Sequence, residues 1–447
     1  MSRRTIDRSV QLSGLEIRPG IPICQADLPL DRYQEEFRPY AEEYLALPSR
    51  TPEDVIPWMD RYLKPALEHF GPKLMLLSHY YMGGEIVKLC ERFGGRVADS
   101  YELALAAARH PEAEFIVESA VHFMAESIAT LAHPHQQVFI TNPRAGCTME
   151  LYAKEFHIAP FFEQLEHRFG DDLMVVAYMN TSARVKALAG QTLGAVCTSS
   201  NAQHVLRWAL DKGKKILWVP DRHLGEVACW QIGLPPSQQY LWPAGTEGML
   251  RKVSSLPEHE LACLDAARVI LWGSSCGVHT VFKVSMVEYW KARGYRVLVH
   301  PECPLPVVQA ADGAGSTKFL WNAVREAPRG ARIAIATESH FVANARELGR
   351  QHGVEVVHMA DIPAPEFASS GCGCATMSRN DPPHLVAMVD LLAKGHPPDI
   401  NRVQVGDAVD EISGFRERLD PEERALVAAN ARAALHRMVE ITEAVAK

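Results

Sequence analysis

Residues 269–279 read Val-Ile-Leu-Trp-Gly-Ser-Ser-Cys-Gly-Val-His. The four apolar residues at the head of this stretch have the length and composition of a buried strand. Gly273, Ser274 and Ser275 break the strand, so Cys276 and His279 follow its carboxyl end. In open parallel sheets, ligands gather at that end. A soft ligand and a titratable base, three residues apart at such a place, form a candidate site. One buried cysteine is more often a small hydrophobe than a ligand. The weight of the reading comes from repetition.

The same order of strand-ends occurs three times. The first run has strands at 74–77, 96–98, 115–117 and 138–140. They end in Ser78-His79-Tyr80-Tyr81, Asp99-Ser100, Val121-His122-Phe123 and Ala145-Gly146-Cys147. The second has strands at 173–177, 196–197, 216–219 and 269–272. They end in Tyr178-Met179-Asn180, Thr198-Ser199-Ser200, Pro220-Asp221-Arg222-His223 and Cys276, with 226–265 interrupting the spacing. The third has strands at 297–299, 333–336 and 354–358. Its polar ends are His300-Pro301-Glu302-Cys303, Gly313-Ala314-Gly315-Ser316-Thr317, Thr337-Glu338-Ser339-His340 and Gly371-Cys372-Gly373-Cys374. His79 to Ser100 and Tyr178 to Ser199 are both 21 residues; Ser199 to His223 and Ser316 to His340 are both 24.

Strands alternating with helices in an internal repeat predict an α/β fold. The expectation is three repeated α/β/α units, Rossmann-like with small parallel sheets, around a pseudo-threefold axis with a central cavity. The boundaries are a helical N-terminal arm at 1–70, units at 71–170, 171–292 and 293–380, and C-terminal helices at 381–447. Within the arm, 31–47 and 52–70 carry helical spacing. A last long helix opens at Asp420-Pro421, a good cap followed by proline.

The 447 residues carry a net charge of −8, which argues against a non-specific nucleic-acid or anionic-membrane binder. No apolar run approaches the roughly 20 residues needed to span a bilayer. The first residues lack the apolar segment of a secretory signal, so a cytoplasmic location is expected. Ten cysteines are spread along the chain with no Cys-x-x-Cys pair. In a reducing compartment they are not structural disulfides, and any cysteine metal site must be assembled from distant segments.

Three cysteines brought together, Cys147, Cys276 and either Cys372 or Cys374, would hold a metal centre and leave one coordination position free. Soft thiolates suit zinc or an iron–sulfur cluster, and a [4Fe–4S] cluster with one exposed iron fits three ligands. The hydroxyls of Ser100, Ser199, Ser316 and Thr317 stand at loop-to-helix turns, where backbone N–H groups favour anions. Glu302, Tyr81 and the histidines are the proton carriers. Together they point to a substrate bearing carboxylates and a phosphate. His122, His223 and His340 sit beside apolar residues and read as packing histidines; Cys197 and Cys303 read as inert neighbours.

These segments resemble the NadA family, the quinolinate synthases, over about 74–390. The motifs are His79-Tyr80-Tyr81, Asp99-Ser100, Val121-His122-Phe123-Met124-Ala125-Glu126, Ala145-Gly146-Cys147 and Tyr178-Met179-Asn180-Thr181-Ser182-Ala183. They continue with Cys197-Thr198-Ser199-Ser200-Asn201-Ala202, Pro220-Asp221-Arg222-His223-Leu224-Gly225, Cys276-Gly277-Val278-His279, His300-Pro301-Glu302-Cys303, Gly315-Ser316-Thr317 and Thr337-Glu338. The resemblance implies condensation of iminoaspartate with dihydroxyacetone phosphate to quinolinate in NAD biosynthesis, with coupling to an L-aspartate oxidase. It implies a [4Fe–4S] cluster on Cys147, Cys276 and Cys374, the second cysteine of the Cys-x-Cys pair. It implies substrate contacts from His79, Ser100, Tyr178, Asn180, Ser199, His279, His300, Glu302, Ser316 and Thr317. Acid–base work falls to Tyr81, Glu302 and His279. Met82, Glu118-Ser119-Ala120 and Asn142 depart from the family's usual residues, and none is a presumed ligand. The alternatives are a non-catalytic iron–sulfur redox or sensor protein and a zinc-dependent lyase.

Overall fold

The computed structural model describes residues 28–83, 86, 94–363, 373–374, 376–409 and 416–446. Three parallel sheets carry the chain. The first holds β1 (Leu74–His79), β2 (Arg96–Ala98), β3 (Phe115–Ser119) and β4 (Gln137–Ile140) in the order β2-β1-β3-β4. The second holds β5 (Leu173–Tyr178), β6 (Ala195–Cys197), β7 (Lys215–Val219), β8 (Gln239–Trp242) and β9 (Val269–Trp272) in the order β6-β5-β7-β9-β8. The third holds β10 (Arg296–Val299), β11 (Gly313–Ala314), β12 (Arg332–Ala336) and β13 (Glu355–His358) in the order β11-β10-β12-β13. Strands such as β5 and β9 are buried along their whole length. Parallel strands covered by helices on both faces require such continuous apolar runs.

The strand order positions the site. In each sheet the chain steps from its first strand outward to the second, then returns to the other side of the first. Where the winding reverses, the loops after neighbouring strands diverge and leave a crevice at their carboxyl ends. His79, Tyr178 and His300 stand at the ends of β1, β5 and β10, the strands at those reversals.

Two regions differ from expectation. Residues 226–265, read as an interruption, supply an extra strand, β8, paired parallel to β9 at the edge of the second sheet. Tyr240 and Trp242 turn inward while Leu241 is exposed, and Trp242 stacks on Phe161 with centroids 3.8 Å apart. The segment 31–47 is not one helix. Two 3-10 turns precede a helix at Arg38–Leu45, which has proline at its start, where a missing N–H is tolerated. This segment packs on the helix Pro382–Ala393. The Tyr33 hydroxyl donates to Asp381 Oδ2 at 2.6 Å, and its ring stacks on His384.

The last helix, Pro421–Ala446, lies against the helix Ala183–Gln191 and β6. The two helices touch at Gly190, where an added Cβ would stand 2.1 Å from the Asn430 carbonyl oxygen. Backbone cannot yield there as a flexible side chain would. Gly190→Ala is therefore expected to destabilise the protein by roughly 1–3 kcal/mol. A urea titration reads this as a lowered midpoint; an unchanged midpoint contradicts the close approach.

Candidate functional site

Two similar turns send side chains over the sheet ends. His79 Nδ1 accepts from the Tyr81 backbone N–H at 3.2 Å, and His300 Nδ1 accepts from the Glu302 N–H at 3.3 Å. Each histidine thereby fixes the residue two positions on. In the second sheet the loop 179–182 is held from below. The Ala183 N–H donates to Glu126 Oε2 at 2.7 Å, and the buried Lys186 ammonium donates to the Thr181 carbonyl. This loop carries Asn180, whose buried Oδ1 has no hydrogen-bond partner among the described residues. A buried amide oxygen without a partner is costly unless something else meets it, which marks Asn180 as facing a ligand.

A line of polar contacts joins the sheets. The Tyr178 hydroxyl donates to Glu302 Oε1 at 2.5 Å. Glu302 Oε2 lies 2.8 Å from His279 Nδ1. His279 Nε2 is 3.0 Å from Thr337 Oγ1, which is 2.9 Å from the Tyr81 hydroxyl. The His279 and His300 rings stack at 4.6 Å. Burial would raise the Glu302 carboxyl, but its contacts with His300, His279 and Tyr178 hold it below the usual carboxylate range. Burial pushes His79 down to about 4 and His300 to about 3, so both are neutral near pH 7. Burial also raises Tyr81 and Tyr178 well above the ordinary phenol value, so both keep their protons.

One cavity gathers most of the expected residues. Its lining includes His79, Tyr81, Ser100, Tyr178, Asn180, Ser199, His300, Glu302 and Thr317 together with Cys147, Cys276 and Cys374. Ser100 and Thr317 open helices, and Ser199 precedes one. His279 and Ser316 do not line it. His279 stands behind Glu302, and the Ser316 hydroxyl caps the helix Thr317–Arg325 by accepting from the Phe319 N–H at 3.4 Å. Cys372 lies outside the described residues. Cys197 and Cys303 are buried away from the cavity lining. Burial pushes all three cavity thiols up, and Glu302, Cys147 and Cys374 raise Cys276 further. Three thiols whose ionisation burial opposes are a donor set that a soft cation would convert to thiolates. The ligating atoms of Cys276, His279 and Glu302 also lie within 4.8 Å of one another.

Sequence reasoning overlooked Thr337, the link between His279 and Tyr81, and the anchors Asp221 and Glu338. Asp221 Oδ2 accepts from the Cys276 N–H at 3.0 Å, and Glu338 Oε1 accepts from the Cys374 N–H at 3.1 Å. The signal was present: each acid stands two residues before one of the recurrent histidines, His223 and His340.

The family model described as NadA, quinolinate synthetase A protein, matches residues 67–440. This chain belongs to that family. A quinolinate synthase of Corynebacterium glutamicum is 35% identical over 389 residues, covering 86% of this chain and 88% of the relative. Those of Streptomyces coelicolor and Bacillus pumilus are 36% and 35% identical, covering 83% and 78% of this chain and 89% of each relative. The NadA family is a family of enzymes, and the match spans all three sheets and the segments that supply the cavity's cysteines. No helix among the described residues is long and apolar enough to cross a membrane.

Proposed function

We propose that this enzyme condenses iminoaspartate with dihydroxyacetone phosphate to give quinolinate, inorganic phosphate and two waters. The observation that carries the reading is the one cavity lined by three cysteines, by hydroxyls at helix starts and by Asn180, whose Oδ1 finds no partner among the described residues. In this reading three α/β/α units surround a pseudo-threefold axis, and the cavity between them is the reaction chamber. The enzyme works in the reducing cytoplasm in NAD biosynthesis, and an L-aspartate oxidase supplies the iminoaspartate.

Ser100, Ser199 and Thr317 would hold phosphate and carboxylate oxygens at helix N-termini, where N–H groups and the dipole favour anions, while Ser316 caps the helix that Thr317 opens. His79, Tyr178, Asn180 and His300 would orient the substrate carbon skeleton. The enamine form of iminoaspartate is a carbon nucleophile, and phosphate leaves once its charge is held. Ring closure then forms the C=N bond, and two waters depart. Tyr81, protonated at Oη, would deliver a proton, while the Glu302 carboxylate and His279 would accept and orient one. A closed cavity keeps water from the imine.

Cys147, Cys276 and Cys374 fit a [4Fe–4S] cluster, being three soft donors in one cavity with no fourth cysteine in the described lining. When bound, it supplies a Lewis-acidic iron that draws charge from a substrate hydroxyl as water leaves.

Protein purified without oxygen and given dihydroxyacetone phosphate and freshly generated iminoaspartate is expected to form quinolinate and phosphate in equal amounts. Full iron and sulfide content with no quinolinate overturns the reading in favour of a redox or sensor protein. The close grouping of Cys276, His279 and Glu302 supports a second reading, a single-metal lyase site. Zinc without iron or acid-labile sulfide favours that reading.

A further inference from the structure

Two buried carboxyl groups occupy matching places. Asp221 and Glu338 each stand two residues past the end of a strand, β7 and β12; neither has measurable exposure. In each, the two oxygens are divided between two tasks. Asp221 Oδ1 accepts from the Leu224 N–H at 2.7 Å and caps the helix Arg222–Gln231, while Oδ2 takes the Cys276 N–H. Glu338 Oε2 accepts from the His340 and Phe341 N–H groups at 2.7 and 3.0 Å and caps the helix Ser339–His352. Its Oε1 takes the Cys374 N–H, with His340 Nδ1 at 2.8 Å and the Ser339 hydroxyl at 3.3 Å.

Capping accounts for one oxygen of each acid, and serine or asparagine would cap as well. It does not account for the second oxygen, which reaches a cysteine far along the chain, nor for burying a whole carboxyl group. We propose that Asp221 and Glu338 are positioning residues that hold Cys276 and Cys374 ready for the metal centre. The inference rests on the metal-centre reading above. Cys276 lies in the glycine- and serine-rich stretch 273–277, and Cys374 follows Gly373; the carbonyl of each accepts an N–H four residues on, and the carboxylates hold the N–H side. An anchored N–H restricts the backbone torsions of the cysteine and therefore the direction of its Sγ. Groups that orient metal ligands in this way govern how firmly the metal is kept. The place two residues before His122 is Ala120, which has no carboxylate to offer Cys147.

The test uses Asp221→Asn and Glu338→Gln. Each keeps one oxygen for the cap and turns an amide N–H toward the cysteine N–H. Asp420→Asn is the control, because Asp420 caps the last helix through the Glu422 and Glu423 N–H groups and touches no cysteine. Each protein is loaded with iron and sulfide without oxygen, then diluted into a ferrous-iron chelator. Bleaching of the visible absorbance gives the rate of cluster loss, and thermal unfolding of the unloaded proteins monitors the cap. Cluster loss roughly 10–100-fold faster in both site variants, with the control like the parent, supports the inference. Rates equal to the parent's in both variants overturn it. If one variant fails to fold, the other decides. A parent that takes up neither iron nor sulfide overturns the metal-centre reading itself, a result distinct from equal rates.

Discussion

Cys276→Ser is expected to fold, to lose its iron and to make no quinolinate. The exchange of sulfur for oxygen keeps the side chain's shape, and the backbone at 276 stays bonded to Asp221. Stability should therefore change little. The donor set changes completely. Thiolate is the form that binds soft metals, and a serine hydroxyl does not ionise at neutral pH to replace it. Cys276 also borders both metal-donor groupings, the three cysteines and the set with His279 and Glu302. Its loss should disable either. Iron and sulfide analysis beside the product assay checks this; a Cys276→Ser protein with parental iron and turnover contradicts it.

Glu302→Gln should separate the centre from the chemistry. Glu302 takes the Tyr178 hydroxyl on one oxygen and faces His279 with the other. Glutamine keeps the volume and can still accept from Tyr178, but it removes the negative charge beside His279 and Cys276. Because its contacts hold the carboxyl below the usual range, the native group is charged throughout the neutral region. The variant is expected to keep its iron and visible absorbance while kcat falls roughly 10²–10⁴-fold, the worth of a positioned proton carrier. A variant that turns over like the parent would place the proton traffic on the Tyr81–Thr337 side of the line.

The strand-ends were legible because each combines an apolar run with an abrupt polar or glycine-rich break, as at Val269–Trp272. Their repeated order led to the parallel sheets and to most of the residues that line the cavity. β8 escaped notice because an edge strand exposing Leu241 between Tyr240 and Trp242 gives too short a signal within a long interruption. His279 and Ser316 share the composition of the lining residues, yet one stands behind Glu302 and the other caps a helix. Residue type does not reveal which way a side chain turns. Thr337, Asp221 and Glu338 act through partners 36 to 256 residues away. Such pairings follow from how the sheets assemble, which no local pattern encodes.

The most direct test of the account compares quinolinate formation by oxygen-free preparations of the parent, Cys374→Ser and Cys372→Ser. Cys374 faces the cavity with Cys147 and Cys276. Product is expected from the parent and from Cys372→Ser, and none from Cys374→Ser. Product from Cys374→Ser at the parental rate contradicts it.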